Sequence, residues 1–235
     1  MQAATLFVSE SGRTVRLNSP NAAPGPSLYL AGCAEGWIAR FGVGVDDAAA
    51  REIDGLVTQE PPVMAPGAVP RFAERYCRLI GRAEPVTPRN FGPIHLLPHG
   101  MRAAGDARIV CQHTPEGDAL WARLQREGVP QAMVEGGFTD LSHFWEPWCV
   151  AMVGDEIAAI AFAARLSAGA AELGLHTMKA FRRRRLAAAV TAAWSVMPAL
   201  ANRTLFYSTL HDNAASKRVI AQLQLPFVGE SFRLP

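Results

Sequence analysis

Long apolar runs, paired cysteine motifs and a large net charge are all missing from this 235-residue chain, and each absence excludes something. The net charge of +2 at pH 7 is too small to name a polyanionic partner. The cysteines, Cys33, Cys77, Cys111 and Cys149, are scattered, with no C-x-x-C pair and no histidines clustered at ligand spacing. Neither a metal site nor a disulfide framework is expected, and the thiols read as buried or idle in a reducing cytoplasm. The opening residues, MQAATLFVSESGR, lack the basic-then-apolar pattern of a secretion signal, so a cytoplasmic location is expected. One uncharged run, Leu186 to Leu200, follows four arginines. It is shorter than the roughly 20 residues that cross a bilayer, is rich in alanine and reaches Pro198, so it reads as a core helix and no membrane partner is expected. No internal repeat stands out.

What is present begins with length: the chain can bury a substantial core, as one large domain or two small ones. Residues 170 to 187, AAELGLHTMKAFRRRRLA, read as a buried strand running into a basic turn and the first turn of a helix. Such a turn makes a seat for phosphate. Loop amides are unpaired, the helix dipole adds partial positive charge and arginines add full charge. Beyond it Leu186, Val190, Trp194 and Met197 recur at helical spacing, which predicts a helix over 183–197 lying flat on a sheet. TLFYST, 204–209, reads as a strand, and Ala214 to Leu223 as a helix capped by Asp212 or Asn213. Phe227 to Leu234 reads as a final strand.

This order resembles the GNAT N-acetyltransferase superfamily, over roughly the second half of the chain. The residues that carry the resemblance are ELGLHTMKAFRRRRLAAAV (172–190), YSTLHDNAASKRVIAQL (207–223) and VGE (228–230). Members commonly show a strand ending in a phrase like ELGVHT, then a Q/R-x-x-G-x-G/A loop. A D-N-x-A-S-x-x-V helix follows, leading into L-G-F-x-x-V-G-E. The resemblance implies a mixed α/β fold with a mostly antiparallel sheet flanked by helices, preceded by an N-terminal α+β part, and acetyl-coenzyme A as cofactor. Arg182 takes the place of the loop's leading Q/R and Ala187 its final G/A, with Arg183, Arg184 and Leu186 at the variable positions. The loop amides would hold the pyrophosphate. Main chain around Leu175 and Thr177 would pair with the pantetheine arm as an added strand does. Asn213 matches the family's helix-starting Asn, a usual cofactor neighbour, and Ser216 lies one turn on. Three positions depart: Arg185 stands where the loop has Gly, Ile220 where many members have the Tyr that protonates the leaving thiolate, and Gln224 where L-G-F has its Gly.

The first half shows two strands, Ser27 to Ala31 and Trp37 to Val45, joined across Gly32 to Gly36, and then a helix from Asp46 or Asp47 to Val57. A Pro-rich connector, 60–70, leads to a helix over 71–80. Residues 85–105, broken by Pro85, Pro88, Pro93 and Pro98, read as loop, so the domain boundary is placed there, dividing the chain into 1–105 and 106–235. Beyond it come a strand over 107–113, a helix over 117–127, and a hairpin, 148–153 and 157–165, through Gly154-Asp155. The aromatic stretch FTDLSHFWEPW, 138–148, reads as packing under a loop, with a substrate wall as the other reading.

Acetyl transfer to an amine needs a base, donors for the oxyanion and an acid for the thiolate. Glu172 shares a strand face with Gly174 and His176, which makes Glu172 and His176 the catalytic candidates. Their alternative is structural: a solvated strand-end charge and a core or edge histidine. The Leu175 amide is a candidate oxyanion donor, and Tyr207 and Ser208 are candidate acids. The arginine run, Arg182 to Arg185, reads as phosphate ligands, because guanidinium groups bind such anions in pairs of charge-assisted bonds. The expected function is therefore acetyl transfer from acetyl-coenzyme A to a small-molecule or peptide amine. A non-catalytic acyl-coenzyme A-binding or regulatory module is the second reading. A nucleic-acid-binding protein is the third, and the near-neutral charge argues against it.

Overall fold

The computed structural model describes residues 1–102 and 107–235. In chain order the elements are α1 (Gln2–Leu6), β1 (Phe7–Glu10), β2 (Arg13–Leu17), β3 (Leu28–Cys33), β4 (Gly36–Phe41), α2 (Asp47–Val57), α3 (Ala73–Leu79) and β5 (Phe91–Leu96). There follow β6 (Arg108–Cys111), α4 (Pro115–Glu127), α5 (Gln131–Val134), β7 (Trp148–Val153), β8 (Glu156–Leu166), β9 (Ala170–Thr177) and α6 (Leu186–Trp194). The chain closes with β10 (Thr204–Ser208), α7 (Ala214–Leu223) and β11 (Phe227–Leu234). The fold is mixed α/β, its sheets mostly antiparallel and flanked by helices. No helix among the described residues is long and apolar enough to cross a membrane.

Two compact units divide the chain: Met1–Leu96 with Phe206–Pro235, and Leu97–Leu205. The expected boundary at 105/106 lies outside the described residues. The last thirty or so positions join the first unit because β11 pairs antiparallel with both β3 and β5. In that unit the ladder runs β4, β3, β11, β5, β10. Leu28, Leu30, Phe41, Phe91 and Phe232 form a core with Ile53 of α2 and Tyr76 of α3. Asp46 caps α2 by accepting from the Ala48 and Ala49 amides, and those bonds lower its pKa.

The expected loop over 85–105 is corrected at β5. Proline lacks a ladder N–H, yet Pro93 lies inside this strand, with strands on both sides. Its register partner is Glu230, next to the irregularity between Phe227 and Gly229, and a bulge is where a sheet tolerates proline. The hairpin of β1 and β2 packs through Phe7 on Tyr29.

The second unit is an antiparallel run of β6, β7, β8 and β9, joined as neighbours in that order. Helix α6 packs on it with Leu186, Ala188, Val190 and Trp194 buried, and the Trp194 indole donates to the Pro147 carbonyl at 2.8 Å. The core-helix reading holds, over a shorter span than expected. The cysteine expectation needs correction: Cys111 and Cys149 are disulfide-bonded, as directly opposed residues of β6 and β7. They lie 38 positions apart, and register, which no cysteine spacing reveals, brings them together. Cys33 and Cys77 are free.

Candidate functional site

Strand β9 carries Glu172, Leu175, His176 and Thr177, and pairs with β8 along its length. Glu172 is buried at 8% exposure, with Arg165 as its register partner past an irregularity at Ala163/Arg165. Burial excludes the reading of a solvated strand-end charge. On the same face, Gly174 lies beneath Phe162, since a Cβ at Gly174 would meet that ring at 2.4 Å. Phe138 and Trp145 pack edge-on against Phe162, at centroid distances of 5.7 and 5.6 Å. The Phe138 ring is also 5.8 Å from His176, and a Cβ at Gly136 would stand 2.6 Å from His176 Nε2. The aromatic stretch is thus packed, as expected, with Phe138, Phe144 and Trp148 buried. It also lies across the strand face that carries the catalytic candidates.

Burial, and after it the charge of Arg182, push the His176 pKa below the usual imidazole value. Both causes favour the uncharged ring.

After β9, a 3-10 turn at Lys179–Phe181 buries Phe181 and leaves Arg182, Arg183, Arg184 and Arg185 exposed. Arg182 folds back, its Nε donating to the Thr177 carbonyl at 3.4 Å, and the Arg184 guanidinium lies 5.9 Å from the Phe181 ring centroid. Arg183 and Arg185 have φ of 65° and 62°. Arg185 is the N-cap of α6, and no side chain caps that helix. The sequence shows Arg where the family's loop has Gly. The backbone nevertheless takes the left-handed conformation that glycine favours, at a cost of about 1–2 kcal/mol for a residue with a Cβ. Residues 182 to 187 therefore present a helix N-terminus framed by exposed cations, with Leu186 buried and Ala187 half-buried behind them.

Asn213 and Ser216 belong to the first unit. Of the two expected caps, Asn213 serves, accepting from the Ser216 amide at 3.1 Å. Tyr207 is buried at 3% exposure, with Ser216 beside its hydroxyl. Burial raises its pKa against a smaller lowering by Ser216, so it stays protonated. Ile220 is buried. Gln224 is left-handed at φ 51°, a conformation that glycine favours.

No family model matches the chain, and no curated protein matches it. Solved structures resemble it at low identity. A GNAT-family acetyltransferase from Colwellia psychrerythraea is 15% identical, over 84% of this chain and 76% of its own, with a TM-score of 0.41. A GCN5-related N-acetyltransferase-like protein from Streptococcus suis is 12% identical, over 91% and 85%, with a TM-score of 0.41. A functionally unknown conserved protein from Staphylococcus epidermidis is 11% identical, over 96% and 91%, with a TM-score of 0.46.

Proposed function

We propose that the chain is a GNAT-type N-acetyltransferase that uses acetyl-coenzyme A, with the turn 182–187 as its phosphate seat. The observation that carries this reading is Arg185, which is left-handed where the family has glycine and stands directly before a helix N-terminus with no side-chain cap. Those residues suit a polyanion: guanidinium groups for the phosphates, amides at Leu186 and Ala187, and the positive end of the α6 dipole. Bound there, the cofactor would supply the acetyl group as an activated thioester. Main chain at Leu175 and Thr177 holds the pantetheine arm in this reading.

The chain's own acid–base chemistry falls to β9. Neutral His176 takes the proton that an attacking ammonium must lose, and Glu172, on the same face, orients it or accepts the proton through water. A second reading, a module that binds acyl-coenzyme A without catalysis, is favoured by Ile220, an apolar buried side chain at the place of the family's proton donor.

Saturating acetyl-coenzyme A should raise the melting midpoint, as any ligand of the native state does. No shift at millimolar cofactor would end both readings. Given a shift, thiol release with a panel of amines separates the catalyst from the binder.

A further inference from the structure

Buried polar atoms in folded proteins are nearly always paired, so a group of unpaired ones marks a place where a partner belongs. The first unit holds such a group: His95 Nδ1, Thr209 Oγ1, His211 Nδ1 and Glu230 Oε1 have no hydrogen-bond partner among the described residues. Sheet register brings them to neighbouring strands. Tyr207 is opposite His95, Pro93 is opposite Glu230, and the Thr209 and His211 amides donate to the Pro93 and Phe91 carbonyls.

Glu230 is the costliest member. It is wholly buried, its Oε2 accepts from the Gly67 amide at 2.9 Å, and it forms no ion pair among the described residues. Burial pushes its pKa up to about 7, against smaller lowering by the Gly67 bond and by the charge of Lys217.

Gly67 sits in the Pro-rich connector, which forms a strap. The Trp37 indole donates to the Pro61 carbonyl, the Val63 amide donates to Cys33, and Glu60 accepts from the Arg71 and Phe72 amides and the Tyr76 hydroxyl. His211 Cε1 is 3.4 Å from where a Gly67 Cβ would stand, and its ring stacks on Phe91 at 4.8 Å. Phe91, the strap residues Val69 and Pro70, and Val86 in turn line an open pocket of about 380 Å³, which Arg71 and Glu74 also border.

The chemistry of the unpaired atoms selects the ligand. A carboxylate only accepts, so Glu230 Oε1 asks for a donor, best a cationic one. Thr209 Oγ1 and His211 Nδ1 are two further atoms able to accept. A primary ammonium carries three N–H donors and a full positive charge. We propose that Glu230, Thr209 and His211 form a binding site for a primary ammonium group, with its hydrocarbon body in the cavity beside Phe91. Entry is from the strap side, where Met64 is exposed and Gly67 must lift. The site lies wholly in the first unit and needs no cofactor, so its fate is separate from that of the acetyl-transfer reading.

The probe is n-butylamine, titrated calorimetrically into the cofactor-free protein at about pH 8. Saturable binding at one site is expected, with n-butanol inert and tetramethylammonium, which has charge but no N–H, weaker by about tenfold or more. Glu230→Gln, which keeps an acceptor for the Gly67 amide, should weaken butylamine by about tenfold or more. His211→Phe, which keeps the stack on Phe91, should weaken it severalfold. Val69→Trp should exclude butylamine by filling the cavity. Absence of saturable heat overturns the proposal, as does unchanged affinity in Glu230→Gln. Should that variant fail to fold, unchanged affinity in His211→Phe overturns it equally.

Discussion

The turn after β9 and the strap over β11 treat charge in opposite ways. Four arginines of the turn stand in solvent, and what the turn spends is backbone conformation, at Arg183 and Arg185. At the strap, the backbone pairs well, and the cost falls on one buried carboxylate that forms no ion pair among the described residues. Exposed charge costs little until a ligand arrives, whereas buried charge is penalised at every moment it stays unpaired. The turn is thus readable as waiting for an anion and the strap as holding an unmet demand for a cation.

The largest effect expected from this contrast is at Glu230. Its proton is held more tightly in the folded chain than in the unfolded one, where the ordinary value is 4.5. The contribution of Glu230 to stability should therefore be fully present below about pH 4.5 and be lost as pH rises through about 7, a change on the order of 3 kcal/mol. Glu230→Gln should flatten that slope and be the more stable protein at pH 8. Denaturant midpoints of both proteins at pH 5 and pH 8 measure it, and parallel pH dependence would break the contrast.

Glu172 tests whether a buried carboxylate beside an arginine register partner is held for chemistry. Under the proposed function, Glu172→Gln should lower turnover by about 10² while cofactor affinity stays within about twofold. Equal turnover would give Glu172 a structural role instead.

Arg185→Gly addresses the backbone cost of the turn. Relief of the left-handed strain should stabilise the free protein by about 1 kcal/mol. Loss of the guanidinium should weaken coenzyme A by about 1–3 kcal/mol and abolish any preference over its 3′-dephospho form. Tighter binding of both ligands would instead mark Arg185 as an obstruction. The smallest effect belongs to Asn213, whose replacement by Ala should cost about 1 kcal/mol through loss of the α7 cap, and by Gly only a few tenths. Thermal midpoints of the two variants check this, and equal losses would remove the cap from the account.

Local signals carried much of the architecture. The bounds of α7 and β11 follow from capping and alternation, and those elements lie where the pattern puts them. Strand β5 escaped because Pro93 normally argues against an inner strand, and the bulge that accommodates it is built by β11, far along the chain. The disulfide escaped for a related reason, since strand register pairs Cys111 with Cys149. At the candidate site, the arginine turn was visible as charge next to a helix start, but the left-handed backbone under Arg185 was not, because side-chain identity argued the other way. Nothing local in VGE announces that Glu230 is buried against Gly67, a partner 163 positions away.

The route of the chain through its two units has a consequence for synthesis. Residues 97–205 are contiguous, so the second unit has all of its strands as soon as position 205 is free of the ribosome. The first unit must wait, although its opening residues emerge earliest. Strand β11, which lies between β3 and β5, is made after the whole of the second unit. Until then β3 and β5 have exposed edges open to other chains. Aggregation during expression should thus depend on how soon β11 arrives, and a nascent chain stalled between 205 and 226 is the species that a chaperone would be most needed to shield.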